Sequence, residues 1–97
     1  MAYDPGAIDA ALAAAVGDEP ALIAELRLAF VDSAERAVDA LEQAGGDESA
    51  WGHAAARLRG LAASFGAVRL MALAAETAGR PGDAESLRKL RRAVARL

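Results

Sequence analysis

The chain has 97 residues, 28 of them alanine and none of them cysteine, and its formal net charge is −3 at pH 7. This length supports one hydrophobic core, and the lack of cysteine excludes disulfides and thiolate metal ligands. The longest apolar run, Ala10 to Val16, is far shorter than the roughly 20 residues of a membrane span, and no basic segment precedes an apolar stretch at the start. We therefore expect a soluble, cytoplasmic protein with one domain over residues 1–97.

The first predicted helix is short. Ile8, Leu12 and Val16 share one face of about two turns, between a break at Asp4-Pro5-Gly6 and a second break at residues 17–20. A helix of this length is not stable alone, so we expect it to lie against the rest of the chain.

The second helix is predicted to start near Glu19 or Pro20 and to run to about Ala44, with Asp18 as its N-cap. Its apolar residues recur every three or four positions and its acidic residues occupy the other side, which predicts one buried and one solvated face. The apolar residues are Leu22, Leu26, Phe30, Ala34, Val38 and Leu41, and the acidic ones are Glu25, Asp32, Glu35, Asp39 and Glu42.

Three further helices follow. Asp47 is predicted to cap the third, Gly66 marks a break after it, Gly79 is the predicted C′ residue of the fourth, and Asp83 is predicted to cap the fifth. The apolar stripes are Trp51, Ala55, Leu58, Ala62 and Phe65 in the third helix, Val68, Leu70, Met71, Leu73 and Ala74 in the fourth, and Leu87, Leu90, Val94 and Leu97 in the fifth. Short connections make successive helices antiparallel neighbours. The sequence therefore predicts an all-α fold, an up-and-down antiparallel four-helix bundle with a short additional N-terminal helix.

The charged residues are distributed unevenly between the two halves of the chain. Residues 1–50 contain 11 acidic and 2 basic side chains, whereas residues 51–97 contain 3 acidic and 9 basic ones. Acidic and basic helices that pack side by side would partly neutralise each other. Alternatively, the basic half offers a docking face for an acidic partner.

Several kinds of chemistry lack support in the sequence. One histidine and no cysteine argue against a His/Cys zinc site and a Ser-His-Asp triad, and no GxGxxG, GxxxxGK[ST] or HExxH motif is present. Basic residues without interleaved aromatics, in a protein of pI about 5.0, argue against a nucleic-acid partner. We expect no metal, no cofactor, no membrane and no nucleic acid.

One segment resembles a known family. Residues 54–67 read AAARLRGLAASFGA, which is similar to the motif of histidine phosphotransfer (HPt) domains, the relay modules of bacterial two-component signalling. That motif runs His-x-Leu-Lys-Gly, then small residues, then Gly-Ala. Arg59 stands at the usual lysine and Ala56 at the phosphorylated histidine, and the matching residues are Leu58, Gly60, Ser64, Gly66 and Ala67. The resemblance covers essentially all of the chain, because the order of the helices also follows the HPt pattern.

The resemblance implies roles for individual residues. Gly60 would let a partner approach closely one turn after Ala56, although close helix packing also explains a mid-helix glycine. Arg59 would lie beside a phosphoryl group, or is simply a solvated arginine. Ser64 is expected to form a local hydrogen bond at the helix end, and Leu61 departs from the small polar residue usual in the family.

Ala56 determines the expected mechanism. A methyl group has no lone pair with which to accept a phosphoryl group, so no catalytic residue is predicted at the usual position. His53 lies three residues earlier, about 4.5 Å nearer the N-terminus on nearly the same face, and is the alternative phosphorylation site. Its neighbours Trp51 and Gly52 do not fit the family pattern.

These observations predict an HPt-like module, not an enzyme, that docks onto a response regulator receiver domain or a histidine kinase. The expected partner-binding residues are His53, Ala56, Arg57, Arg59, Gly60 and Ser64. Two alternatives remain open, an active phosphotransfer protein that uses His53 and a structural bundle that self-associates through an alanine-rich face. The sequence leaves the oligomeric state open.

Overall fold

The computed structural model describes residues 10–14, 17 and 19–97, and these residues form five helices and no strand. Helix α1 comprises residues 10–14 and is followed by α2 (Pro20–Ala44), α3 (Glu48–Ser64), α4 (Val68–Ala78) and α5 (Ala84–Ala95). The predicted all-α class and the positions of the four longer helices are confirmed. Of the apolar residues predicted for the first helix, Leu12 is buried, whereas Ile8 and Val16 lie outside the described residues.

The four longer helices contact one another in a closed ring, in which α2 packs on α3, α3 on α4, α4 on α5, and α5 on α2. Two contacts show the relative direction of α2 and α5. Arg27, in the second turn of α2, donates a hydrogen bond to the carbonyl of Leu97 at 3.0 Å, while Arg91 in α5 pairs with Asp39 further along α2 at 2.9 Å. Helices α2 and α5 therefore run in opposite directions.

Aromatic side chains connect α3 to both of its neighbours. The indole N–H of Trp51, in the first turn of α3, donates a 2.6 Å hydrogen bond to the carbonyl of Thr77 at the end of α4. The ring of Phe65, just after α3, stacks on that of Phe30 in α2, with centroids 4.5 Å apart. Trp51 and Phe30 are both fully buried, so these contacts hold opposite ends of α3 in place.

One cluster of buried residues draws on all five helices. The apolar stripes predicted for the longer helices supply most of it, and the residues less than 2% exposed include Phe30, Val38, Leu41, Trp51, Leu58, Leu70 and Leu90. Val68 differs from the rest of its predicted stripe, because it is 67% exposed. It precedes Leu70 by two residues, about 200° around the helix, so it points away from the core when Leu70 points into it.

Aspartate side chains begin two of the helices, as predicted. Asp47 accepts a hydrogen bond from the amide of Ala50 at 3.1 Å, and Asp83 accepts bonds from the Ser86 hydroxyl at 2.6 Å and the Ser86 amide at 3.0 Å. The Ser86 hydroxyl, and secondly the Ser86 amide, lower the pKa of Asp83, which favours the charged capping carboxylate. The predicted cap Asp18 lies outside the described residues, and Glu19, at the N-cap of α2, makes no capping side-chain bond.

Gly66 and Gly79 follow the ends of α3 and α4 with different backbone conformations. Gly66, after α3, has a φ of 70° and allows the turn predicted there. The prediction of Gly79 as a C′ residue is wrong, because Gly79 is the C-cap of α4 and has a φ of −86°. The amides of Gly79 and Arg80 bond to carbonyls three residues back, at 3.3 and 3.0 Å, so α4 ends in a tightened turn that needs no left-handed residue.

Candidate functional site

The outer face of α3 is the candidate site, and we define it by His53, Ala56, Arg57, Arg59, Gly60 and Ser64. All six residues are exposed in the structure. The opposite side of the same helix is buried through Trp51, Ala55, Leu58 and Ala62. The buried side of α3 is therefore the side predicted from its apolar stripe, and all six predicted site residues lie on the side away from the core.

Gly60 is exposed on this face, and no other described element packs against it. A Cβ atom built at Gly60 meets no heavy atom within 4 Å, apart from its own chain neighbours and helix backbone. Close packing against another helix therefore does not explain this glycine, although an interior glycine lowers helix stability by about 0.5–1 kcal/mol relative to alanine. Gly52, two turns earlier in α3, is equally unobstructed and offers a matched position for comparison.

The two arginines of the outer face form no ion pair within the part of the chain that the structure describes. Neither Arg57 nor Arg59 has a hydrogen-bond or salt-bridge partner among these residues. In contrast, Arg88 and Arg91 of α5 bond to carboxylates at 2.6 and 2.9 Å. The outer face of α3 therefore presents two positive charges that are available to an anionic partner.

Ser64 has a local role, as expected from its position. Its hydroxyl donates a 3.0 Å hydrogen bond to the carbonyl of Gly60, four residues back in the last turn of α3. A hydroxyl bonded in this way donates its hydrogen within its own helix and not to an external ligand. Leu61, the departure from the family pattern, is half-buried and packs against the core.

His53 has surroundings that the sequence did not predict. It lines a shallow groove between α2 and α3. The polar lining residues of this groove are Gln43, Asp47, His53 and Arg57, and the other lining residues are alanines. The sequence feature that could have predicted this groove is the three-residue turn between α2 and α3, because a turn this short places the end of α2 beside the start of α3. Ala56 is not among the lining residues, so His53 and Ala56 differ in their surroundings although both are exposed.

The described residues contain no group of three or more acidic or histidine side chains placed to hold a metal ion. Within the same part of the chain, no helix is both long enough and apolar enough to cross a membrane. The outer face of α3 can thus offer a binding partner one imidazole and two guanidinium groups that have no ion pair among the described residues.

The chain matches no protein-family model, no curated protein and no solved structure.

Proposed function

We propose that this protein is a degenerate HPt-like module that binds a response regulator receiver domain or a histidine kinase through the outer face of α3. It acts by occupying the partner and transfers no phosphoryl group at Ala56. The proposal places the protein in the cytoplasm and gives it no cofactor. It also treats residues 1–97 as one up-and-down antiparallel four-helix bundle with α1 as an additional helix.

The observation that carries the proposal is an unobstructed glycine on an exposed helix face, beside arginines that have no ion pair within the described part of the chain. Gly60 has no packing role within the described chain, and Arg59 next to it has no intramolecular partner. A surface that lacks side-chain bulk allows a partner's backbone to approach, and free guanidinium groups form charge-assisted bonds with carboxylates or phosphates. Receiver domains contain an acidic phosphorylation site, so they fit such a surface.

The helical arrangement also supports the proposal. The closed ring of contacts and the opposite directions of α2 and α5 agree with an up-and-down bundle. In the HPt resemblance the docking residues lie on the third helix, and here all of them are exposed on α3.

Phosphoryl transfer needs a nucleophile on this face, and Ala56 cannot serve as one because its side chain is a methyl group. His53 is the one histidine of the sequence and is exposed. It lies in the groove with Gln43 and Arg57, away from the position that the family motif gives to its nucleophile. Transfer through His53 is therefore an outcome to be tested against docking alone.

We expect the variants Gly60→Ala and Gly52→Ala to differ in binding but not in stability. Each replaces an unobstructed interior glycine of α3, so each should raise the free energy of unfolding by about 0.5–1 kcal/mol. A methyl group forced into a closely packed interface costs about 1–3 kcal/mol, so only Gly60→Ala should weaken receiver binding, by about tenfold.

Titration calorimetry against receiver domains and kinase domains of the source organism would measure the affinities, and urea unfolding would measure the stabilities. Equal affinities of the two variants for every partner bound by the wild type would remove Gly60 from the interface and contradict the proposed docking face.

A further inference from the structure

A second charged surface lies where α2 meets α5. We define the α2/α5 face by Glu35, Asp39 and Glu42 of α2 and by Arg88, Arg91 and Arg92 of α5. All six side chains are exposed, and five of them line the grooves between the two helices, while Asp39 is bonded to Arg91. An acidic row and a basic row therefore run side by side on one surface.

The two rows neutralise each other only in part. Arg91 bonds across the helices to Asp39 at 2.9 Å and to Glu42 at 3.5 Å. Arg88 and Arg92 instead pair with Glu85 of their own helix, at 2.6 and 4.0 Å, and these exposed pairs are weak enough to exchange partners. Within the described residues Glu35 has no ion pair. Charges of both signs are thus left for an external partner.

We propose that the α2/α5 face binds a second copy of this chain. A two-fold axis parallel to the helices, running along the groove between them, places α2 of one copy on α5 of the other, and α5 on α2. The acidic row of each copy then meets the basic row of its partner. A single surface that carries both rows is its own electrostatic complement, whereas a uniformly acidic or basic partner would be repelled by one of them.

The heights of the charged residues agree with this pairing. A two-fold axis parallel to the helices leaves each residue at its own height along the bundle. Glu42 lies at the height of Arg88, and Asp39 at the height of Arg91, because they share a groove or a bond within one copy. Glu35 lies at the height of Ala95, in the last turn of α5. Glu42 and Asp39 of one copy therefore meet Arg88 and Arg91 of the other in the dimer, and Glu35 lies about one helical turn beyond Arg91.

The dimer leaves the outer face of α3 free. No contact joins α3 to α5 among the described helices, so α3 lies across the ring from the helix that supplies the basic row. A dimer of this kind presents two α3 faces to solvent. The proposal does not depend on the proposed function, because it uses different residues.

Light scattering on the full chain tests the proposal. At about 0.1 M salt the apparent mass should rise with concentration from 9.9 kDa toward twice that value. It should return to the monomer value at about 1 M salt, where the Debye length falls from about 10 to about 3 Å. A wild-type protein that stays monomeric at every concentration in low salt would overturn the proposal, as would a dimer that is indifferent to salt.

Two charge-reversal variants provide a matched test. The first carries Glu35→Lys and Glu42→Lys, and the second carries Arg88→Glu and Arg92→Glu. Each variant alone should be monomeric, because the net charges of its two rows now have the same sign, although Asp39 and Arg91 are unchanged. Mixed in equal amounts they should form a one-to-one complex, since the basic α2 of the first meets the acidic α5 of the second. Mixed variants that stay monomeric, while the wild type dimerises, would place the interface elsewhere.

Discussion

Replacement of Trp51 by alanine is expected to lower the free energy of unfolding by about 3–5 kcal/mol. The indole is fully buried and is the largest side chain of the core, so its removal leaves a cavity that α2, α3 and α4 cannot fill without moving. The change also leaves the Thr77 carbonyl without its 2.6 Å hydrogen bond. Because small domains have a total stability of about 5–15 kcal/mol, this variant should be close to unfolding at room temperature.

Urea unfolding followed by circular dichroism would measure this effect. The variant Trp51→Phe keeps most of the apolar volume but loses the N–H donor. It should therefore lower the free energy of unfolding much less than Trp51→Ala does, with about 1 kcal/mol of the loss due to the hydrogen bond. Val68→Ala, at a residue 67% exposed, is the control and should change stability by no more than about 0.5 kcal/mol. If Trp51→Ala were no more destabilising than Val68→Ala, the described packing of α3 on α4 would be wrong.

Charge reversal at Arg59 is expected to reduce receiver binding by about 100-fold. The side chain is exposed and has no partner within the described chain, so Arg59→Glu should leave the fold and its stability nearly unchanged. Opposite an acidic phosphorylation site, the new carboxylate produces like-charge repulsion, which costs several kcal/mol across an interface. About 2.8 kcal/mol corresponds to the expected 100-fold change.

Lys89→Glu is the matched control for this prediction. Lys89 is an exposed cation on α5 with no ion pair among the described residues, and its reversal changes the net charge by the same amount. Equal losses of affinity in the two variants would mean that the partner responds to net charge and not to the outer face of α3. An unchanged affinity of Arg59→Glu would exclude Arg59 from the interface.

Helix positions were predictable because the apolar residues repeat with the helical period. The apolar stripe of α3 correctly predicted which side of this helix is buried, and the buried residues of that side include Trp51 and Leu58. The caps Asp47 and Asp83 were predictable because a side-chain oxygen before a helix satisfies a free amide. The end of α4 was not predictable from Gly79, since the backbone there closes by three-residue hydrogen bonds and needs no left-handed glycine.

The surface was less predictable than the core, because contacts between helices are not periodic in the sequence. The sequence indicated that Gly60 had either a packing or a docking role, and only the empty space around it removes the packing explanation. The groove that joins His53 to Gln43 depends on how α2 and α3 lie side by side. The cross-helix pairs of Arg91 likewise show how far the acidic and basic helices neutralise each other.

The central claim is that this protein binds a receiver domain or a histidine kinase and accepts no phosphoryl group. The most direct test measures phosphoryl transfer from a panel of phosphorylated receiver domains to the wild type and to His53→Ala, with receiver binding recorded in the same samples. We predict that at least one receiver domain or kinase binds both proteins and that neither protein acquires an acid-labile label. Label on the wild type but not on His53→Ala would contradict the claim and make His53 a displaced phosphorylation site. Absence of binding to every receiver and kinase domain would contradict it as well, and would leave a structural bundle.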